Sequence, residues 1–259
     1  MIELIACDID GTLLNTGEKD VSPLVLMQIK RLRKKGILFC PASGRQFNSL
    51  RRLFAPIEDK IFYICDNGAI LYGPDVDGEL SGRILSKTVL PRRPAERFCD
   101  YIYSGESFEL MVSGANTEYI CPKKFDLTEH LEGIGYRVAK VAGPRDIPED
   151  MLKVTAFCAD GSERYYGELT ELCGEGYQVA VSGQRWVDIT CSDKGTGLAS
   201  ICRTLNIPLQ NVMAIGDNYN DLPMLDIVGH PVVMENAAED IKQRFQKHCR
   251  RVEEALMEL

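Results

Sequence analysis

The chain has 259 residues, a formal net charge of −8 and a 45% share of hydrophobic residues. This length and this share suit one large folded domain or two ordinary ones, and they argue against disorder. The acidic balance argues against a general binder of nucleic acid or of anionic membranes, because such binders carry basic patches. No apolar run reaches about 18 residues, so we predict no membrane span.

The ten cysteines are scattered along the chain. They form no C-x-x-C pair, and no histidine lies at metal-ligand spacing from one of them. Reduced, mostly buried thiols in a cytoplasmic protein are the simplest interpretation. A secreted disulfide protein is less expected, since no signal peptide precedes the first predicted strand.

The first part of the chain alternates strand and helix signals. Strands are predicted over residues 2–7, 37–42 and 61–65, with helices over 22–36 and 46–55. Ser22 has the character of a helix N-cap, and Pro23 then occupies the first helical position. The DNGAI run after the third strand predicts a turn that opens a hairpin. Buried strands alternating with helices are typical of a parallel α/β sheet.

From about residue 84 the pattern changes to short strand-like runs with few helices. Strands are predicted over 108–113, 117–121, 136–142, 154–159, 177–183 and 185–191, with helices near 94–104 and 162–174. This pattern indicates an α+β unit with a mostly antiparallel sheet. Alternation returns after Lys194, with helices over 195–205 and from about 237, and strands over 211–217 and 230–234. We therefore predict an α/β core over 1–83 and 190–259, interrupted by an inserted α+β domain over 84–189.

Four polar clusters mark the α/β core. They are Asp8-x-Asp10-Gly11-Thr12, Ser43-Gly44-Arg45, Lys194-Gly195 and the run GDNYND over 216–221. Ligands of open parallel sheets bind at the carboxyl ends of the strands, where connections diverge. Since three of the clusters directly follow a predicted strand, we expect them to converge in space.

The converged set has the composition of a phosphate site. Three aspartates offer hard oxygen ligands, namely Asp8, Asp10 and Asp217, and neither His nor Cys occurs in the clusters, which selects Mg²⁺ over zinc or copper. Lys194 adds a positive charge and Ser43 a hydroxyl donor, while Gly11 and Gly44 let backbone N–H groups approach a ligand closely. One aspartate can attack phosphorus to give an aspartyl-phosphate. The other can protonate the leaving oxygen and then deprotonate the hydrolytic water.

These motifs resemble those of the haloacid dehalogenase (HAD) superfamily, specifically its Cof-like type IIB phosphatases. DIDGTL, SGR, DKG and GDNYND match the four motifs of that family in order, and the insertion lies between the second and the third, as in type IIB members. The resemblance implies a Rossmann-like parallel-sheet core with an inserted α+β cap domain of type IIB. It also implies a phosphoric monoester hydrolase that requires Mg²⁺.

The resemblance further implies roles for single residues. Asp8 would be the nucleophile, Asp10 the general acid and base, and Lys194 a catalytic cation that offsets charge on Asp8. Metal ligation is implied for Asp8, for Asp10 through its backbone carbonyl, for Asp217 directly and for Asp221 mostly through its neighbours. Substrate or phosphate contacts, including support of the phosphate loop, are implied for Gly11, Thr12, Ser43, Gly44, Arg45, Asn67 and Asn220.

The chain departs from the family pattern at three places. Ser43 stands where relatives usually carry threonine, which retains the hydroxyl. Glu235 replaces a usual glycine, which puts the nearby loop and any role of Asn236 in question. The chain ends in HCRRVEEALMEL rather than in the usual tail, so the last helix is expected to pack differently.

Each cluster taken singly has an ordinary interpretation. Asp8 and Asp10 could cap a turn, and Lys194 could be a solvated surface lysine. Core packing is the simpler interpretation of Trp186, and His130 is expected to be structural or exposed.

The expected substrate is a small phosphorylated metabolite, with sugar phosphates favoured, and the oligomeric state stays open. The alternatives are a phosphomutase of the same fold and a non-catalytic, metabolite-binding regulator. A signalling receiver domain fits less well, because its phospho-acceptor follows the third strand and not the first.

Overall fold

The computed structural model describes residues 1–15, 17–74 and 82–259, with residues 58–60 described by their backbone alone. The strands are, in chain order, β1 (Leu4–Cys7), β2 (Leu38–Pro41), β3 (Tyr63–Cys65), β4 (Ile70–Gly73), β5 (Arg83–Lys87), β6 (Phe108–Ser113), β7 (Glu118–Ile120), β8 (Val138–Lys140), β9 (Lys153–Cys158), β10 (Gln178–Gly183), β11 (Trp186–Thr190), β12 (Val212–Gly216), β13 (His230–Met234) and β14 (His248–Cys249). The helices are α1 (Pro23–Lys34), α2 (Phe47–Phe54), α3 (Arg92–Ser104), α4 (Thr128–Gly133), α5 (Glu163–Cys173), α6 (Lys194–Leu205), α7 (Leu222–Leu225), α8 (Glu239–Lys242) and α9 (Val252–Met257).

A parallel sheet with the strand order β14-β13-β12-β1-β2 forms the centre of the molecule, and every pairing in it is parallel. Successive residues of β1 point to opposite faces of this sheet. Ile5 packs on the side of α1 and α9, whereas Leu4 packs on the side of α6 and α7. Both faces are thus covered by helices, which explains why β1 is apolar at every position. The predicted α/β fold class is confirmed.

A three-stranded hairpin unit, β3-β4-β5, adjoins this sheet through a parallel bridge between Ala42 and Ile64. The turn predicted from DNGAI connects β3 to β4, which pair antiparallel. Asp66 and Asn67 adopt left-handed φ values of 49° and 52° in this turn. Gly68 follows with φ 90°, and a Cβ added there would lie 2.1 Å from the carbonyl oxygen of Asp193. Only glycine fits at that position.

A second large sheet has the strand order β10-β11-β9-β6-β7-β8 and is antiparallel except between β7 and β8. One face packs on α3 and α5 through residues such as Phe98 and Leu169. The opposite face carries a smaller apolar cluster that includes Met111 and Phe157, with Trp186 packed against it. All six strands lie between residues 108 and 190, within the stretch predicted to be an insertion. The domain boundaries at 83/84 and 189/190 remain a prediction.

Several short elements were not predicted from the sequence, among them α4, β5 and β14. The helix expected from residue 237 is shorter than predicted and consists of α8 alone, because the chain after it forms the edge strand β14 beside β13. The atypical tail folds into α9, whose Val252 and Leu256 join the core around α1. The helix predicted to stop before Pro56 does end at Phe54, but a 3₁₀ helix over Ala55–Lys60 continues it. Proline is tolerated in the first turn of such a segment.

The cysteines of the described ranges are free thiols, and all of them except Cys191 are buried. Within the same ranges, no helix combines the length and the apolar character that crossing a membrane requires.

The N-cap of α1 offers a test of the local structure. Ser22 Oγ accepts the Val25 N–H at 3.2 Å and donates to Glu253 Oε1 at 3.0 Å. Ser22→Ala should therefore lower the free energy of unfolding by about 1 kcal/mol, as the loss of an N-cap usually does. Urea denaturation measures this change, and Ser22→Asn, which keeps a capping oxygen, should lose less. Equal stability of Ser22→Ala and the wild type would contradict the assignment.

Candidate active site

The polar clusters meet at the carboxyl ends of β1, β2 and β12, which are neighbours in the parallel sheet. A cavity of about 420 Å³ opens there. The predicted site residues that line it are Asp8, Asp10, Ser43, Gly44, Arg45 and Asn220. A larger cavity of about 940 Å³ adjoins it beyond Asn218 and Asn220. The smaller cavity is the candidate active site, because it contains both acids of the first cluster.

A buried lysine, Lys194, pairs with Asp8, which lines this cavity, and with Asp221, and it lines the adjoining larger cavity. Lys194 Nζ donates to Asp8 Oδ1 at 2.5 Å and to Asp221 Oδ1 at 2.6 Å. Lys194 is 1% exposed, and both carboxylates are buried. The three come from separate elements, since Asp8 follows β1, Lys194 starts α6 and Asp221 lies in the turn after β12. A surface role for Lys194 is therefore excluded.

The charges in this group shift one another's pKa values. Burial, and next the charge of Asp221, raise the pKa of Asp8 well above its usual range, while Lys194 opposes them. Burial acts to lower the pKa of Lys194, but its pairs with Asp221 and Asp8 outweigh burial and raise that pKa. Lys194 thus stays charged, and Asp8 depends on nearby positive charge to ionise.

Asp217 lies close to Asp8 and is held by its own donors. Thr12 Oγ1 donates to its Oδ1 at 2.7 Å, and Asn236 Nδ2 contacts its Oδ2 at 3.3 Å. Asn236 also donates to the carbonyl oxygen of Gly11 at 2.9 Å. Asn236 therefore reaches the site despite Glu235 beside it, whose side chain is exposed. Burial is the main cause that raises the pKa of Asp217.

Glycine is required at position 11 by the backbone geometry, and its N–H group is not free to bind a ligand. Its φ is 93°, and a Cβ there would lie 2.4 Å from an Asp217 carboxylate oxygen. Its N–H donates to the carbonyl of Leu14 at 2.9 Å, so it is already used within the loop. The loop after β1 thus packs directly against Asp217.

Asp221 is occupied by the protein on both carboxylate oxygens. Its Oδ2 accepts the backbone N–H groups of Asp217 and Asn218, each at 2.9 Å, and its Oδ1 accepts Lys194. It is fully buried. These contacts fix the turn that carries Asp217, which makes Asp221 a support for the site and a poor direct ligand.

Asp10 is separated from this acidic group and pairs with Arg45. Arg45 Nε and Nη2 donate to the two carboxylate oxygens of Asp10 at 2.7 and 2.5 Å, a bidentate fork. The Asp10 side chain is 54% exposed and lines the cavity. Arg45 thus orients the side chain of Asp10. This contact is compatible with the supporting role that the resemblance implies for Arg45.

The Ser43–Arg45 segment forms a tight loop beside Asn67. Ser43 Oγ accepts the Arg45 N–H at 3.1 Å, and the Ser43 carbonyl accepts the Asn67 N–H at 3.0 Å. A Cβ on Gly44 would meet the Asn67 amide at 3.2 Å. Asn67 Oδ1 in turn accepts Asn220 Nδ2 at 3.2 Å. The second cluster, the hairpin turn and the GDNYND loop are therefore in contact.

The donor set fits a hard divalent cation. Carboxylate oxygens of Asp8, Asp217 and Asp221 lie within 4.8 Å of one another, and one lysine faces all three acids. Buried acids in excess over cations raise one another's pKa values, and a bound cation relieves this. Asp8 and Asp217 would hold the ion, because Asp221 already uses both oxygens. The side chain of Asp10, paired with Arg45, is not part of the group.

A profile of haloacid dehalogenase-like hydrolases matches residues 5–255 of the chain. The chain belongs to that family. An HMP-PP phosphatase from Serratia proteamaculans is 28% identical, over an alignment that covers 96% of this chain and 91% of the relative's chain. A 5-amino-6-(5-phospho-D-ribitylamino)uracil phosphatase of Escherichia coli is 26% identical, with 93% and 88% covered. A solved structure of a HAD subclass IIB sugar phosphatase has a TM-score of 0.80 at 20% identity, covering 99% and 98%, and so shares the fold.

These comparisons confirm the predicted family, with its Cof-like type IIB relatives, and the enzyme class, a phosphoric monoester hydrolase of the HAD type. Lys153 and Asp188 are polar residues of the site that the sequence analysis did not identify, and Asn236, whose role it left in question, also reaches the site. Asp188 had a visible signal, because it stands alone between apolar residues in the WVDIT strand. Lys153 had a weaker signal, namely a lysine at the start of the mostly apolar strand β9.

The Lys194 assignment predicts a pH-dependent loss of stability. Lys194→Met leaves Asp8 and Asp221 buried without their cation, which should cost about 3–5 kcal/mol at neutral pH. Because the folded-state pKa of Asp8 lies above its unfolded value, Asp8 binds more protons in the folded state, and its contribution to stability falls as the pH rises above about 4. Removing Lys194 raises that pKa further, so the deficit of the variant should grow from pH 4 to 8.

Urea unfolding in metal-free buffer across that range measures the effect. Lys140→Met is the matched control, because Lys140 pairs with Asp126 at 2.6 Å on the exposed surface, where such pairs contribute little. Parallel stability curves for Lys194→Met and the wild type would contradict the buried pairing.

Proposed function

We propose that this HAD-type phosphatase hydrolyses small phosphorylated metabolites with Mg²⁺ and through an aspartyl-phosphate on Asp8. The observation that carries the proposal is the buried contact between Lys194 and Asp8, which lines the same cavity as Asp10. That arrangement offers a nucleophile, a fixed cation and a second acid within one small space.

Asp8 acts first. One of its carboxylate oxygens forms a bond to phosphorus while the bond from phosphorus to the leaving oxygen breaks. Lys194 favours the ionised form of Asp8 and, with the Ser43 hydroxyl, binds phosphoryl oxygens as their charge develops. Mg²⁺, held by Asp8, Asp217 and the Asp10 carbonyl, would neutralise the phosphoryl oxygens and favour ionised Asp8.

Asp10 moves the proton in both half-reactions. It donates a proton to the leaving oxygen and later takes one from the water that hydrolyses the intermediate. In the structure the Arg45 fork occupies both carboxylate oxygens of Asp10. Donation in the first step requires that Arg45 release one of its two hydrogen bonds to Asp10.

The leaving group would occupy the outer part of the cavity. Its wall includes Met111, Leu131 and Trp186 from the 84–189 segment, and its size is within the range of small-molecule sites. Trp186 packs on Phe157 with ring centroids 4.7 Å apart and lies nearly parallel to His130, at 6.2 Å. We propose that this segment is a cap domain which selects the leaving group, with sugar phosphates favoured.

The relatives support a small phosphorylated substrate. Two of them are named as phosphatases of HMP-PP and of 5-amino-6-(5-phospho-D-ribitylamino)uracil. The free cysteines agree with a reducing compartment, so we retain the proposed cytoplasmic location.

A phosphate-release screen with Mg²⁺ over sugar phosphates, nucleotides and phosphorylated cofactors tests the proposal. A phosphomutase would instead yield an isomeric sugar phosphate, visible by ³¹P NMR. A regulator would bind a compound without releasing phosphate.

Asp8→Asn should reduce phosphate release from the best substrate by about a thousandfold or more, since removing a covalent nucleophile has effects of that order. Asp20→Asn, at an exposed position, is the matched control and should retain the wild-type rate. Mass spectrometry of a quenched reaction should show a phosphoryl adduct on the wild type alone. Rates near wild type for Asp8→Asn would overturn the nucleophile assignment.

Asp217→Asn should weaken Mg²⁺ binding by about tenfold or more, because one of two ionised ligands is lost. Isothermal titration with Mg²⁺ measures this directly, and the concentration for half-maximal phosphate release should shift in parallel. Asp226→Asn, on the exposed end of α7, should leave both values unchanged. Unaltered Mg²⁺ affinity in Asp217→Asn would remove this residue from the ligand set.

A further inference from the structure

A buried lysine of the six-stranded sheet reaches into the second motif loop. Lys153 is the first residue of β9, and its side chain is 4% exposed. Its Nζ donates to the carbonyl oxygen of Gly44 at 2.6 Å and lies 3.0 Å from Asp66 Oδ1. Lys153 also lines the cavity that contains Asp8.

A chain of side-chain contacts continues from this lysine. Asp188 Oδ2 lies 3.8 Å from Lys153 Nζ and accepts Asn67 Nδ2 at 2.8 Å. Asp188 Oδ1 accepts the hydroxyl of Thr155, its partner on β9, at 2.6 Å. Since Asn67 also contacts Asn220, one network connects β9 and β11 with the three loops that carry Gly44, Asn67 and Asn220.

Lys153 is charged in this position. Burial acts to lower its pKa, but the charges of Asp188 and Asp66 outweigh burial and raise it. A buried ion pair of this kind adds little net stability compared with apolar packing, and its best-attested contribution is to fix one geometry. The geometry that Lys153 fixes is that of the Gly44–Arg45 peptide.

That peptide is planar, so its two polar groups are set together. The Gly44 carbonyl accepts Lys153, and the Arg45 N–H on the same peptide donates to Ser43 Oγ at 3.1 Å. Because the Arg45 N–H occupies one lone pair of the Ser43 hydroxyl oxygen, the hydroxyl hydrogen can point to a phosphoryl oxygen. The Arg45 side chain leaves the same peptide to hold Asp10.

We propose that Lys153 is a positioning residue, which fixes the Gly44–Arg45 peptide from the six-stranded sheet so that Ser43 binds the phosphoryl group. The inference rests on the proposed function in one respect, namely that Ser43 contacts phosphate. The 84–189 segment would then contribute to phosphate binding through Lys153, in addition to selecting the leaving group.

The experiment measures binding of inorganic phosphate with Mg²⁺ by isothermal titration, together with kcat and KM for p-nitrophenyl phosphate. Lys153→Met should weaken phosphate binding and lower kcat by about 10- to 100-fold, the order expected from a small misplacement of a binding group. Since Lys153→Met leaves Asp66 and Asp188 buried without their cation, the double variant Lys153→Met/Asp66→Asn, which removes one charge of each sign, is measured beside it.

Ser43→Ala completes a double-mutant cycle. If Lys153 acts through Ser43, substituting it in the Ser43→Ala background should change phosphate affinity less than twofold, because the two losses are then not additive. A purely structural lysine would give additive losses. Lys123→Met is the matched control, since Lys123 Nζ also donates to backbone carbonyls, at Tyr103 and Gly105, away from the site.

Wild-type phosphate affinity in a folded Lys153→Met or double variant would overturn the inference, as would equal losses in the two Ser43 backgrounds. The phosphate titration separates this outcome from a failure of the proposed function. If no compound releases phosphate but the titration still shows the Lys153–Ser43 coupling, the positioning role stands and the proposed hydrolysis fails.

Discussion

The ammonium of Lys194 between Asp8 and Asp221 is the contact on which the rest of the site depends. A charge that is 1% exposed is stable only if its partners compensate the lost hydration, and both partners are carboxylates within 2.6 Å. They can meet because β1 and β12 are adjacent and parallel, so the residues after them leave the sheet on the same edge. The strand order of the core thereby determines which acids face the lysine, and the buried lysine in turn requires the acids.

The same arrangement explains how two aspartates two residues apart can differ in role. Asp8 is buried among acids, with an elevated pKa that only nearby positive charge opposes. Asp10 is 54% exposed and held by both arms of the Arg45 fork. Carboxylates in environments this different suit the different tasks proposed for them, one near the metal and one at the proton. Strand alternation would place residues two apart on the same face, so it is the turn after β1, which ends at Cys7, that separates them.

The sequence predicted those parts of the fold and site that depend on local patterns. The apolar run of β1, the Ser22 cap and the motif residues were all visible in short windows of sequence. Lys153 and Asp188 were not identified, because their role depends on the pairing of β9 with β11 and on how that sheet meets Gly44, which are long-range contacts. β14 was missed for a related reason, since two residues become a strand only when β13 lies beside them.

Strand β11 contributes to both tasks proposed for the 84–189 segment, the selection of the leaving group and the support of the phosphate loop. Trp186 and Asp188 are two residues apart and therefore share one face, Trp186 in the wall of the cavity and Asp188 in the network that reaches Asn67. On β9, Lys153 and Thr155 share the same face for the same reason. A change in register of either strand would move the leaving-group wall and the support of the phosphate loop together. If the proposed roles hold, selection of the leaving group and placement of the phosphate are linked through one sheet face, which would constrain how far the wall can vary without disturbing the chemistry.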